Sequence, residues 1–319
     1  MQISIVICTY NRSAMLARTL ASLTSMLMPP GLKWELIIVD NNSKDDTRAV
    51  VNDFAARSGL DVRYVFEGAQ GLSHARNRGI IEARCDVVVF TDDDVEVEKS
   101  WLFEMRRIFE ESDCLAAGGK ILPVWPAPKP RWYYEEGPYN LNGAILKFDL
   151  GDSPCDLKTP PFGANMAFRR LAFDKYGFFR TDLGVCGDIV TRGEETEFFH
   201  RLLEARERVV YSPNAIVYHP VSLERMRKTY IQSLFFTAGI SQFRVDGLPR
   251  DAISYFGVPR YLYRAIAEKF FAWMFSIKPK ERLRNKLQMY HTAGMIVESH
   301  RMSHIEAVPA AEKIKEENT

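Results

Sequence analysis

Three consecutive carboxylates, Asp92, Asp93 and Asp94, follow the apolar run Val87-Val88-Val89-Phe90-Thr91. Like charges held this closely at a strand end repel one another and call for a cationic partner. A calcium loop does not fit, because Val97 stands where that loop needs its sixth-position glycine. A phosphatase-type D-x-D-x-T does not fit either, since Glu96 replaces the threonine. A D-x-D pair does suit a hard divalent cation, Mg²⁺ or Mn²⁺, held by one or two carboxylates together with substrate phosphates. The bland alternative is a solvated acidic turn. A second acidic set, Glu194, Glu195 and Glu197, opens the segment GEETEFFHRLLEARE. Acids are favoured at a helix start by the macrodipole alone. Glu197 and Arg201, four residues apart, read as a structural pair.

The elements that must position these groups alternate. ISIVICT, WELIIVD, VRYVFE and DVVVFT are short, apolar and β-branched, so they read as strands. Between them lie helical patterns. Leu16, Leu20, Leu23 and Leu27 fall on one face of the first. The second has Ser43 as its expected N-cap and Gly59 as its stop, and the third covers 71–83. Trp101, Met105, Ile108 and Phe109 mark a fourth. This order predicts an α/β fold with a mostly parallel sheet and helices on both faces. Ligands on such sheets sit beyond the carboxyl ends of the strands. The polar ends Thr9-Tyr10-Asn11, Asp40-Asn41-Asn42 and Asp92-Asp93-Asp94 are therefore expected along one edge.

The pattern breaks over 123–161, where proline and aromatic residues exclude a regular helix. Loops of this length often act as lids. Trp125, Trp132, Tyr133, Tyr134 and Tyr139 could stack on sugar faces or pack a lid. PPFGANMAFRR returns to strand character, and a helix follows with Phe198, Phe199, Leu202 and Leu203 as its apolar stripe. RVVYSPNAIVYHP reads as one or two strands ending at His219. The chain then looks helical from after Ser222 to about Arg301, with a frayed tail over 310–319.

The 319 residues allow one large domain or a domain with an appendage. With 46% apolar and 26% charged residues, composition is that of a globular enzyme. A net charge of +1 gives no sign of nucleic acid as a partner. The five cysteines, Cys8, Cys85, Cys114, Cys155 and Cys186, show no CxxC spacing. Neither a zinc site nor a disulfide framework is expected, and a reducing cytoplasmic setting fits. No signal-peptide pattern opens the chain, and no apolar run approaches the roughly 20 residues of a spanning helix.

Six segments carry a resemblance: the opening SIVICTYNR, then IIVDNNSKDDT, GLSHARNRGI, FTDDDV, PFGANMAFRR and GEETEFFHRL. In this order they resemble a family 2 glycosyltransferase of the GT-A fold, over about residues 1–220. The resemblance implies a GT-A-type, Rossmann-like catalytic domain over 1–221, with a nucleotide-binding half at 1–118 and an acceptor half at 119–221. A helical C-terminal extension then occupies 222–319. It also implies a nucleotide-sugar donor, expected to be a UDP-sugar, a divalent cation, and inversion at the anomeric carbon.

Roles follow from the resemblance. Thr9, Tyr10 and Arg12 would line the nucleoside pocket, and Asp40 would accept a hydrogen bond from base or ribose, unless it is only a cap preceding the next helix. Arg76 and Asn77 would lie close to the donor, with Arg76 paired to a phosphate or a carboxylate. Asp92 would meet the ribose and the water shell of the metal, Asp94 would ligate it directly, and Asp93 is the uncertain middle residue. Gly163 would permit close approach, and Asn165 would bond a sugar hydroxyl, the bland reading being a strand with a glycine bulge. Glu195 is the expected general base, with Glu194 the other choice, because the family's usual second acid is an aspartate. His219 would complete the metal shell or be structural.

An inverting transfer needs the leaving diphosphate stabilised, the acceptor hydroxyl deprotonated and the reactants aligned. The metal on Asp94 and the cation of Arg76 would serve the first need and Glu195 the second. The acceptor is expected to be a glycan or a lipid-linked saccharide in polysaccharide assembly. Residues 259–286 hold eight Lys/Arg and two Glu, interleaved with Tyr261, Leu262, Ile266, Phe270, Trp273 and Met274 at helical spacing. Such a helix can lie in a membrane interface, giving peripheral contact on the cytoplasmic face, or pack on protein. Two other classes compete. A nucleotidyltransferase on a related sheet would show a glycine-rich loop after the first strand, which CTYNRS lacks. A non-catalytic nucleotide-sugar-binding or membrane-docking protein would need no base, yet the acids of GEETE are present.

Overall fold

The β-branched runs form strands and the helically periodic segments between them form helices. In chain order these are β1 (Ile3–Thr9), α1 (Ser13–Thr24), β2 (Trp34–Asp40), α2 (Thr47–Ser58), β3 (Val62–Phe66), α3 (Leu72–Glu82) and β4 (Val87–Asp92). There follow β5 (Glu96–Val97), α4 (Trp101–Glu111), β6 (Ala116–Val124), β7 (Cys155–Asp156), β8 (Asn165–Arg169) and α5 (Leu171–Tyr176). The hairpin pair β9 (Val185–Cys186) and β10 (Ile189–Val190) precedes α6 (Glu194–Glu204) and β11 (Val209–Pro220). The computed structural model describes residues 2–28, 31–186, 189–190, 192–248 and 252–306. The tail at 310–319 lies outside the described residues.

Among the described residues, nine strands make one sheet in the order β3-β2-β1-β4-β8-β6-β11-β5, with β7 also on β11. β3, β2, β1 and β4 run parallel, as do β6 and β11. β8 is inserted against the direction of both β4 and β6. β1, β2 and β4 are buried at almost every position, as strands covered on both faces must be.

The register settles where the polar strand ends fall. Thr9 stands opposite Asp40 and Cys8 opposite Asp92, so three carboxyl ends share one edge. Asn165 pairs with Thr91, which brings the N-terminal end of the reversed strand β8 to the same edge. The turns leaving β1 and β2 each need one left-handed residue, and asparagine supplies it at Asn11 (φ 52) and Asn42 (φ 67).

Two local expectations are corrected. Leu16, Leu20 and Leu23 are buried, but α1 stops at Thr24 and Leu27 is 64% exposed. Ser43 does not cap α2. Its hydroxyl accepts from the Asn11 amide, while Asp45 Oδ1 accepts from the Thr47 amide at 3.1 Å. Gly59 ends α2 as expected, in the left-handed conformation at φ 64.

The chain forms two compact units. The first comprises Met1–Lys129, Asn142–Val190 and Glu194–Leu223, and the second Pro130–Leu141, Thr191–Gly193 and Glu224–Thr319. The second unit is helical, with α7 (Lys228–Asp246), a hairpin of β12 (Ser254–Tyr255) and β13 (Val258–Pro259), α8 (Arg260–Phe275) and α9 (Pro279–Glu306). Part of the proline- and aromatic-rich loop belongs to it. Lys280 lies 4.6 Å from the Tyr134 ring centroid and Arg284 5.0 Å from that of Tyr139, and Tyr133 is buried. One face of each of those two rings therefore takes a cation of α9 and not a sugar. Where α7 and α9 cross, a Cβ on Gly239 would collide with the His291 carbonyl, and one on Gly294 with that of Phe236.

A buried carboxylate ties the same two helices. Glu298 accepts from Arg244 Nε at 2.7 Å and from Arg301 Nε at 3.0 Å. Burial works to raise its carboxyl, but the bonds from Arg301 and Arg244 outweigh it and hold the group below its ordinary value. A depressed acid stabilises fully above its unfolded value, about 4.3 for glutamate, and loses that contribution as pH falls through the folded value. Glu298→Gln is therefore expected to lower stability near neutrality by about 3 kcal/mol and to flatten the acid limb. Chemical denaturation of both forms at neutral and acid pH checks this; equal stability at neutral pH would refute the role.

Candidate active site

The strand-edge aspartates divide by their partners. Asp93 is buried, accepting from the Thr9 hydroxyl at 2.7 Å and from Arg12 Nη1 at 3.1 Å. Burial pushes its carboxyl up to about 6, against the pull of Arg12. Asp94 Oδ2 lies 3.3 Å from the same guanidinium nitrogen. Its Oδ1 is buried and accepts no hydrogen bond. A carboxylate oxygen in that state is costly unless a cation partners it. His219 Nε2 stands 3.5 Å from that oxygen. Asp92, Asp94 and His219 each offer one ligand atom, and these lie within 4.8 Å of one another. Two carboxylates and an imidazole make a donor set that a divalent first-row cation fits.

The second acidic set meets the first through Arg76. This guanidinium, on α3, is buried. Its Nη1 pairs with Glu194 Oε1, its Nη2 stands 3.9 Å from Asp92, and Glu195 Oε2 lies 4.0 Å from Nη1. Burial works to lower its pKa, but Glu194, Glu195 and Asp92 outweigh it and hold the cation above its ordinary value. Burial pushes the Glu194 carboxyl up, as does the charge of Glu195, while Arg76 pulls it back. Contact of Glu194 with a permanent cation favours the ionised pair.

The two glutamates differ in access. The Glu194 side chain is 3% exposed and that of Glu195 16%. Aromatic packing fixes that difference by seating α6. Phe198 and Phe199 lie 5.3 and 4.9 Å from Phe168 of β8, and Phe198 lies 5.1 Å from Phe179. Phe179 also packs under Arg76, 5.8 Å from Cζ to centroid. The i, i+4 pair of Glu197 and Arg201 forms at 2.8 Å, and Arg201 also bonds the Phe178 carbonyl.

The other expected residues differ in how far protein partners already occupy them. Asn165 is fully buried. It donates to the Lys120 and Ala215 carbonyls at 2.9 and 2.8 Å and accepts from the Trp101 indole at 2.9 Å. Its amide braces three strands and a helix, so it does not present a group to a sugar. Asn77 is paired through both ends of its amide with the Phe179 backbone. Gly163 does permit close approach, but the approaching group is Arg76 Nη2. Asp40 accepts from the Ser43 amide at 2.9 Å and the Tyr64 hydroxyl at 2.7 Å. Thr9 is committed to Asp93, and Tyr10 and Arg12 are exposed beside it.

Sequence reasoning put Asn41 on the polar edge and Trp101 on a helix stripe, but gave neither of them, nor Tyr64 or Phe179, a particular part in the site. Asn41 is buried and binds the Ala69 carbonyl and the Gly71 amide at 2.7 Å each. That ties the end of β2 to the start of α3, hence to Arg76. A polar residue directly after a buried strand was its available signal.

This sheet, with its reversed strand and acidic edge, is of the GT-A type. The mannosyltransferase of Pyrobaculum calidifontis solved with GDP-Man and Mn²⁺ shares the fold, with a TM-score of 0.56 at 16% identity over 99% of this chain and 79% of that one. The S. aureus TarS 1–349 structure with UDP matches at 0.51 and 17% identity, covering 95% and 92%. Residues 4–177 match the model of glycosyl transferase family 2, and the chain belongs to that family. The glucosyl-dolichyl phosphate glucuronosyltransferase of Haloferax volcanii is 28% identical over 77% of this chain and 78% of its own length. The succinoglycan biosynthesis protein ExoM of Rhizobium meliloti is 27% identical over 77% and 75%.

The gap at Gly163 can be tested directly. A methyl there must displace the Arg76 guanidinium, and with it Glu194. Gly163→Ala is expected to lower sugar transfer by about 10²-fold, the order expected of a small misplacement in a catalytic constellation. A wild-type rate in that variant would show that the site does not depend on this contact.

Proposed function

We propose that this glycosyltransferase moves a sugar with inversion from a nucleoside diphosphate sugar, expected to be a UDP-sugar, to a hydroxyl of a glycan or lipid-linked saccharide. The observation that carries the reading is one buried guanidinium within 4.0 Å of Asp92, Glu194 and Glu195, beside the orphan oxygen of Asp94. It joins a cation-binding edge to a pair of acids of unequal access.

Asp92, Asp94 and His219 would hold Mn²⁺ or Mg²⁺, which supplies charge stabilisation to a departing diphosphate. Arg12, whose side chain is 52% exposed, stands beside Asp93 and Asp94 as a cation accessible to phosphate. Arg76 is turned to its carboxylates and acts by holding Glu194. Glu195, the more accessible acid, takes the proton of the acceptor hydroxyl as that oxygen attacks the anomeric carbon. A single displacement needs no enzyme nucleophile and inverts the centre. Support for a lipid-linked acceptor comes from the Haloferax relative, which is named for glucosyl-dolichyl phosphate.

Glu195→Gln keeps the size of the base and removes its proton acceptance. Transfer is expected to fall by roughly 10²–10⁴-fold, with nucleotide binding and melting temperature nearly unchanged. Glu194→Gln removes the partner of a buried cation, so it is expected to lower the melting temperature as well. If Glu194→Gln loses transfer at full stability while Glu195→Gln stays active, the base is Glu194.

Asp94→Asn conserves shape and removes one charged oxygen ligand. Calorimetry of UDP binding with and without Mn²⁺ should show a metal-dependent increment in the native protein and little in the variant. An undiminished increment would exclude Asp94 as a ligand.

A further inference from the structure

Helix α8 is unusual in what it leaves outside. At about 100° per residue, Tyr263, Ala267, Phe270, Phe271, Met274 and Phe275 fall on one face roughly 140° wide, and all six are exposed; Arg260 and Arg264 share the first turns of that face. Leu262, on the opposite side, is the helix's one fully buried residue. Phe275 is 73% exposed, and Ile277, in the turn to α9, is 95% exposed. A helix that packs one side on its own unit and turns a second apolar side outward has a further surface to meet.

Charge says which surface. The stretch 260–278, α8 and the turn after it, holds four Lys/Arg and one Glu, while the whole chain nets only +1. The remainder is therefore net acidic, and basic charge is concentrated around this apolar face. Two copies meeting face to face would bring like charges together. An anionic bilayer offers both an apolar interior for the rings and acidic headgroups for Lys278, Arg264 and Arg260. The sixteen residues of α8 reach about 24 Å, short of the hydrocarbon core of about 30 Å. Among the described residues no helix is long and apolar enough to cross a membrane.

We infer that the outer face of α8 and the following turn dock the chain on an anionic lipid surface, lying in the interface. This goes beyond the transferase reading and is measured without donor or turnover, so its failure and the failure of that reading are separable.

The test is co-sedimentation of the full chain with phosphatidylcholine vesicles that contain or lack phosphatidylglycerol. Binding is expected to the anionic vesicles, weakening with added salt. The combined variant Phe271→Ser, Phe275→Ser, Ile277→Ser should reduce partitioning on the order of tenfold or more, with unchanged circular dichroism. Lys278→Gln should reduce it about fivefold. Absence of vesicle binding would overturn the proposal, as would equal partitioning of the triple variant. So would a native dimer in sedimentation equilibrium that the triple variant dissociates, because a second copy would then own this face.

Discussion

A guanidinium cannot be buried alone, and the first unit is organised around that constraint. Arg76 sits on a helix that follows β3, yet its partners come from the end of β4 and the start of α6. Three segments distant in sequence must converge for its charge to be compensated. The small residue at 163 clears the space, the ring of Phe179 covers one side, and the Phe168 cluster holds α6 at the needed distance. The apolar core thus fixes where one cation lies.

The same arrangement explains why two adjacent glutamates are not equivalent. Successive helical positions point about 100° apart. Only one can face the guanidinium squarely, and that one is shut away from solvent. Its neighbour keeps part of its surface open while still feeling the same positive charge. Under the proposed mechanism the reachable acid takes the proton and the shut-away one holds the cation.

Much of this was legible in the sequence because it rests on periodicity and local chemistry. The alternation of short β-branched runs with helical stripes marks β1 through β4, and polar residues directly after those runs mark the edge. The side chains read less well were those whose partners are remote. Asn165 sits in a motif that suggests a ligand contact, but its amide fills gaps between strands brought together only by the reversal of β8. Asn77, next to Arg76, points to the Phe179 backbone for the same reason. Nothing local in the sequence says which neighbour an amide will find. Ser43 and Leu27 failed for a different cause: each lies three residues outside a helix, Ser43 before the N-cap Asp46 of α2 and Leu27 after the last residue Thr24 of α1, where a helical pattern runs on but the helix does not.

The crossing of α7 and α9 carries a mechanical implication. Gly239 and Gly294 let the two backbones touch, each where the carbonyl of the other helix passes. Contacts between main chains have no rotamers through which to relax, unlike side-chain packing, and interiors packed this closely resist compression. The pair should therefore move as one stiff body. Strain applied at the α8 end of the second unit would be transmitted along α9 without being absorbed at the crossing.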